Sequence, residues 1–475
     1  MARKNAFVPS LFLIGAITFI LFSNLHLSKQ KNFSVDESYE MNISCASSTG
    51  EIIAHGGTNQ CSPNPLYYIF QKWSVESLLH GQFDQSILWK YRVVSLASSA
   101  LLAIALVLGA WASFGFYPAI VSLLALMNAA IYQAYSAENR PYMLWVFLFA
   151  SAFFWACSCV KTIKKPILGF LALVSLTLVS GAGGVQALAL LAGVFLLNRT
   201  NVKLIGSMML VMLGTSAYYG RFSCTYTDAG VYDLLVTRHW GLITQVLTLL
   251  WQSPTHPIGF IFDAFFLIGL ICPLLKKTSG AIKTTHFHLC LQLLASVAIG
   301  GLVAIKHYYF IERIFIFLVF LKAIGVGLGS YFFIQITKDW FEKHAFKYGK
   351  ALGVILITIF ASSVLVAFLK QEKTTINISE KEIMFSNPNS LDCTKLMKGY
   401  YGYVPLHSNE DRFTNSIVAF SRLMNGCKKK SSLETMGYVF FKADQSIEVL
   451  DALPVNTEGF VPLTQIGKQF PIVSK

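Results

Sequence analysis

The sequence predicts an all-α polytopic membrane protein, with about eleven transmembrane helices and a small α+β domain after the last of them. Composition is the first ground for this. Of 475 residues, 54% are hydrophobic and only 13% charged, and the mean hydropathy is +0.55; a soluble chain carries about a quarter charged residues. The second ground is spacing. Apolar residues recur in stretches of about 17–25, the length of a helix that crosses a bilayer core. Lipid leaves no backbone polar group a partner outside the segment, so such stretches are helices and not open strands.

The third ground is where the charge falls. The hydrophilic breaks hold Arg3, Lys4, Lys161, Lys164, Lys165, Arg199, Lys203, Lys276, Lys277, Lys283, Lys338, Lys343, Lys347 and Lys350, against two acids, Asp339 and Glu342. This is the positive-inside pattern of cytoplasmic loops. The net charge of +14 therefore reads as topology and not as a nucleic-acid surface.

Taken in order, the spans fall near residues 6–27, 93–111, 117–135, 142–160, 166–181, 184–198, 204–220, 258–275, 285–305, 313–336 and 351–369. The first has an Arg-Lys start like a secretory signal, but its long apolar run lacks a cleavage site and reads as a retained anchor. The fifth and sixth are separated only by the glycines around Gly181, Gly183 and Gly184, so one long broken helix is the alternative there. Residues 1–369 then form the membrane domain, starting inside and ending outside. Three pieces lie on the outer face: a loop over 28–92, a second over 221–257, and a domain over 370–475 with strand-like runs at Gly437–Lys442 and Ile447–Leu450.

Cysteine usage agrees with this sidedness. Cys45 and Cys61 share the first outer loop, and Cys393 and Cys427 share the tail. Each is a natural disulfide pair if that face is oxidising. Cys157, Cys159, Cys272 and Cys290 fall within spans, where cysteine acts as a small apolar residue. The histidines show no metal-ligand spacing, and no cofactor is expected.

Chemistry-bearing residues gather at the outer boundary. Asp36 and Glu37 follow the first span. Pro65-Leu66-Tyr67-Tyr68 opens a stretch to His80 that reads as a helix lying in the interface, with Ile69, Phe70 and Trp73 on one side and Lys72 and Glu76 on the other. Arg92 heads the second span, Glu138-Asn139-Arg140-Pro141-Tyr142 occupies the next outer turn, and Lys306 to Arg313 a later one. Charges at such a boundary are costly and usually functional; the alternative is that Asp36 and Glu37 are solvated loop acids and the arginines snorkel to lipid headgroups. An arginine fork suits a phosphate, and a carboxylate suits a general base. Asp263, about six residues inside the eighth span, reads either as a buried functional acid or as a polar contact between helices.

In that order, Asp36-Glu37, Pro65-Leu66-Tyr67-Tyr68, Arg92 and Glu138-x-Arg140-Pro141-Tyr142 resemble the membrane-embedded GT-C glycosyltransferases. The resemblance is to the branch of protein O-mannosyltransferases and lipid A aminoarabinose transferases, and it covers about residues 30–160. It implies an inverting enzyme that moves a sugar from a polyprenyl-phosphate donor to a glycan, lipid or protein acceptor on the outer face of a bacterial inner membrane. Asp36 and Glu37 are then the catalytic acids. Arg140, Arg92, Arg313 and Lys306 hold the donor phosphate, and Tyr67, Tyr68, Lys72, Glu138 and Tyr142 line the substrate site. The chain departs from the family at Ser62-Pro63-Asn64-Pro65, where a histidine often precedes the prolines, and at Ser180–Gly184, where a histidine is usual. A transporter or flippase of lipid-linked sugars and a non-catalytic assembly factor of the same fold are the alternatives.

Overall fold

The computed structural model of the chain describes residues 7–30, 37, 40, 44, 47–57, 63–79, 85–159, 162–222, 257–276, 278, 280–305, 315–343, 437–439 and 460–462. Its helices are α1 (Phe7–Gln30), α2 (Thr49–His55), α3 (Pro65–Leu79), α4 (Val93–Phe114), α5 (Phe116–Met127), α6 (Ala130–Ser136), α7 (Tyr142–Ser158), α8 (Pro166–Val179), α9 (Gly181–Leu197), α10 (Val202–Gly220), α11 (Pro257–Leu275), α12 (Gly280–Ile305) and α13 (Phe317–Lys343). A 3-10 turn over Gln85–Arg92 leads into α4. Two short strands, β1 (Gly437–Val439) and β2 (Phe460–Pro462), pair antiparallel with Tyr438 opposite Val461. The expected run at Ile447–Leu450 and the expected span at 351–369 lie outside the described residues.

The chain is an integral membrane protein built of apolar helices. Among the described residues, four helices are long and apolar enough to cross a membrane: Trp89–Phe114, Val202–Gly220, Gly280–Leu302 and Phe317–Trp340. Five more apolar helices are shorter. The expected span over 117–135 is not one helix: it divides into α5 and α6 at Asn128–Ala129. The Gln133 side-chain amide donates to the Met127 carbonyl at 2.8 Å, so the interruption does not strand that backbone group in an apolar surround. Around Gly181 the chain forms two helices, not one. α8 and α9 are joined at an extended Ser180 (φ −162°, ψ 138°) and pack against each other. They meet so closely that a Cβ on Gly183 would fall 2.1 Å from the Leu176 carbonyl oxygen.

α7 and α13 form the middle of the bundle. Phe149 and Phe153 of α7 meet Phe320 of α13 edge to face, each at 5.5 Å between ring centres, a geometry favoured by the ring quadrupoles. α13 is largely buried among the other helices, whereas α10 is largely exposed.

Lipid tails are as apolar as leucine, so helix association there depends on close packing and polar contacts. α11 and α13 use both. Gly325 and Gly329 lie four residues apart on one face of α13. A Cβ on Gly329 would fall 1.7 Å from the Phe265 carbonyl oxygen, and one on Gly269 would fall 2.0 Å from the Gly325 carbonyl oxygen. One turn away, the Lys322 ammonium donates to Asp263 Oδ1 at 2.5 Å with both residues buried. Asp263 is thus an interhelical contact, and its cation, Lys322, drew no notice in the sequence. Gly329→Val is expected to destabilise the fold by at least the roughly 1–3 kcal/mol of an overpacked core. Thermal unfolding in detergent checks this, and an unchanged midpoint would mean that the helices do not meet there.

Candidate functional site

The site lies at the end of the bundle where α1 ends and α4 and α7 begin, with α2 and α3 beside it. Its short helix α2 is defined at both termini. Ser48 and Glu51 form a reciprocal capping box, which satisfies two amides at the start of the helix. Gly56 ends it in the left-handed region (φ 74°), where a Cβ would fall 2.3 Å from Pro63 Cβ, so only glycine fits. The hydroxyls of Tyr218 and Tyr219 on α10 donate to the carbonyls of Ala54 (2.9 Å) and Ile53 (2.6 Å). Then α3 buries Tyr67, Tyr68, Gln71 and Ser74 and leaves Phe70 and Trp73 exposed.

The loop is fastened from beneath by a buried ion pair. Glu37 and Arg92 are both 0% exposed. Arg92 Nε donates to Glu37 Oε1 at 2.7 Å and Nη2 donates to Oε2 at 2.8 Å. This is the two-pronged geometry that planar guanidinium and carboxylate groups favour. Arg92 Nη1 donates to the Ser28 carbonyl near the end of α1 at 2.5 Å. Glu37 Oε1 also accepts the Asn139 backbone N–H at 2.6 Å. One pair therefore joins the end of α1, the start of α4 and the turn between α6 and α7.

A second pair lies beside it. Arg140 Nη1 donates to Glu40 Oε1 at 3.0 Å, and the two side chains are 7% and 9% exposed. Glu40 Oε2 accepts the Tyr68 hydroxyl. Arg140 Cζ lies 5.4 Å from the centre of the Tyr142 ring, within the range of cation–π attraction. The Arg140 carbonyl accepts the Ser95 hydroxyl of α4 at 3.0 Å. Tyr67 donates to Asn139 Oδ1 at 2.7 Å. Burial, then the charge of Glu40, raises the Tyr67 hydroxyl well above its ordinary pKa, with Arg140 opposing, so it remains a protonated donor. Beneath the site, Asn24 of α1 donates to Ser99 of α4 at 2.9 Å and accepts from Ser136 of α6 at 3.0 Å.

The structure thus gathers Glu37, Arg92, Arg140, Tyr67, Tyr68 and Tyr142 at one end of the bundle, with Glu138 buried in the same turn as Arg140. Lys72 instead pairs along α3 with Glu76 at 3.0 Å. Asp36, Lys306, Arg313 and the four expected disulfide cysteines Cys45, Cys61, Cys393 and Cys427 lie outside the described residues. Arg92 meets protein oxygens with Nε, Nη1 and Nη2. Sequence reasoning passed over Glu40 and Asn139. Glu37-x-x-Glu40 is the spacing of neighbours on one helix face, and Asn139 stands between two residues already singled out.

No family model and no curated protein matches the chain. Among solved structures, it is similar to ArnT from Cupriavidus metallidurans bound to undecaprenyl phosphate, at 11% identity and a TM-score of 0.48, covering 97% of this chain and 90% of that one. It is also similar to the Archaeoglobus fulgidus oligosaccharyltransferase tethered with an acceptor peptide, at 11% identity and a TM-score of 0.43, covering 78% of this chain and 55% of that one. The chain thus spans about half the length of the oligosaccharyltransferase. Likeness of this degree carries no argument about chemistry, which rests on the residues themselves.

Removing one partner of a buried pair leaves an uncompensated charge and costs about 3–5 kcal/mol. Arg92→Met and Glu37→Met are each expected to lower the thermal midpoint sharply, and the double substitution is expected to recover a large part of the loss. Unfolding scans in detergent measure all three, and two independent, additive losses would contradict the pairing.

Proposed function

We propose that this chain is a GT-C-type glycosyltransferase that moves a sugar from a polyprenyl-phosphate donor to an acceptor hydroxyl, with inversion, on the outer face of a bacterial inner membrane. The observation that carries the reading is the convergence, at one end of an apolar bundle, of two carboxylate–guanidinium pairs with the tyrosines of the interfacial helix. A donor whose lipid stays in the bilayer presents its phosphate at that level, and fixed cationic donors suit the charge that develops as the sugar leaves.

Within this reading the two pairs differ in duty. Glu37 and Arg92 hold the loop and so position Asp36, the adjacent acid, as the base that takes the proton from the acceptor hydroxyl. Arg140 holds the donor phosphate, with Lys306 and Arg313 from the later loop as further cations. Tyr67, Tyr68, Glu138 and Tyr142 shape the substrate site. As the hydroxyl attacks the anomeric carbon from the side opposite the phosphate, the carbon–oxygen bond to phosphate breaks and the lipid phosphate leaves.

The topology belongs to the same proposal: about eleven spans, with residues 370–475 outside. A reporter fused after Lys370 is expected on the outer side and one within Lys276–Lys283 in the cytoplasm, and both on the same side would overturn the sidedness. The chemistry is tested by transfer from a polyprenyl-phosphate sugar in liposomes. Asp36→Asn is expected to lower turnover by roughly 10²–10⁴, the usual share of a general base. Arg140→Ala is expected to weaken donor use, with Arg140→Lys restoring it only in part because the fork is lost. Normal turnover by correctly inserted Asp36→Asn would remove the assigned base.

A further inference from the structure

The two ion pairs of the site are chemically alike and physically different. Glu37 and Arg92 are wholly enclosed and joined through both carboxylate oxygens. Glu40 and Arg140 lie at the rim, with 9% and 7% of their side chains exposed. Arg140 also has supports that do not involve Glu40. Its Nη2 donates to the Tyr142 hydroxyl at 3.4 Å, and the Tyr142 ring lies 5.4 Å from its Cζ. Glu40 likewise has a second support, because its Oε2 accepts from Tyr68. Each member would stay anchored if their mutual contact opened.

From this we infer that Glu40 is a displaceable internal anion. Its carboxylate occupies the guanidinium face of Arg140 that the donor phosphate takes, yields it when the donor enters, and returns as the lipid phosphate leaves. The inference rests on the reading of Arg140 as the donor-phosphate ligand. Carboxylate and phosphate present the same pair of oxygens to a guanidinium fork. Two anions crowded on one guanidinium repel at contact distance in a medium of low dielectric, so they compete.

The competition has a chemical use. The donor is a phosphodiester with one negative charge, and the product is a phosphomonoester carrying about −1.5 to −2 at neutral pH. An arginine without a competitor would hold the product more tightly than the donor. A carboxylate poised to reclaim the arginine favours release and keeps the cation neutralised between turnovers.

The test measures binding of undecaprenyl phosphate to the full-length protein in detergent, together with KM for the lipid-linked donor and product inhibition. Glu40→Gln is expected to bind the lipid phosphate about five- to tenfold more tightly, a change of about one decade in Kd. KM should fall and product inhibition should strengthen. A glutamate that merely braced Arg140 would move affinity the other way, because its loss would leave the guanidinium poorly held. Unchanged or weaker binding by Glu40→Gln, with Arg140→Gln losing binding, overturns the inference and leaves the role of Arg140 intact. Undiminished binding by Arg140→Gln overturns both. If Glu40→Gln does not fold, Glu40→Asp decides: its shorter carboxylate withdraws from Arg140, so tighter lipid-phosphate binding supports the inference and weaker or equal binding sinks it.

Discussion

The pair of Glu37 and Arg92 is the constraint on which the functional end of this molecule depends. A carboxylate and a guanidinium removed entirely from water are tolerated only when each meets the other squarely and the remaining lone pairs and protons find partners. Here the Ser28 carbonyl and the Asn139 amide add to the contacts between the two. Those two groups belong to different parts of the chain, so satisfying the charges fixes where the first loop leaves α1, where α4 begins and how the α6–α7 turn is oriented. Asn139 in turn accepts from Tyr67, and its neighbour Arg140 takes Glu40. The arrangement of the rim thus follows from the need to neutralise the interior.

Elsewhere in the bundle polar side chains join helices by different means, because lipid supplies no hydrogen bonds. Where α5 stops short, Gln133 closes over the exposed carbonyl of Met127. Where α7, α9 and α12 meet, Trp145 donates to the Gln186 side chain at 2.8 Å, and Gln292 donates to the Gln186 carbonyl at 3.2 Å. Where α11 meets α13, glycines let the backbones touch. Polar side chains in this interior act as fasteners between helices, and the apolar remainder fills the space between them.

Much of this was legible from the chain. Helix positions followed from apolar length, and the exposed face of α3 from Phe70 and Trp73 at helical spacing. The gathering of Glu37, Arg92, Arg140 and the tyrosines followed from the order of the helix ends along the chain. Pairings were not legible. A glutamate three residues from another reads as one more loop acid, and nothing in one sequence says that Glu40 meets Arg140 a hundred positions later. Lys322 was hidden for a related reason, since a lone lysine in an apolar run has no local partner and its acid lies on another helix. The division of 117–135 into α5 and α6 was also missed, because hydropathy runs on through Ala129 and Ala130 and the deciding contact comes from the Gln133 side chain.

The union of Asp263 and Lys322 bears on how this chain can change over generations. Loss of either residue alone leaves an ion stranded in hydrocarbon, a burden of several kcal/mol that few lineages would tolerate for long. The two positions are therefore expected to change together. They can be replaced together by an apolar pair or exchanged end for end, and each such path passes through a poor intermediate. Descendants of this chain should show both residues or neither.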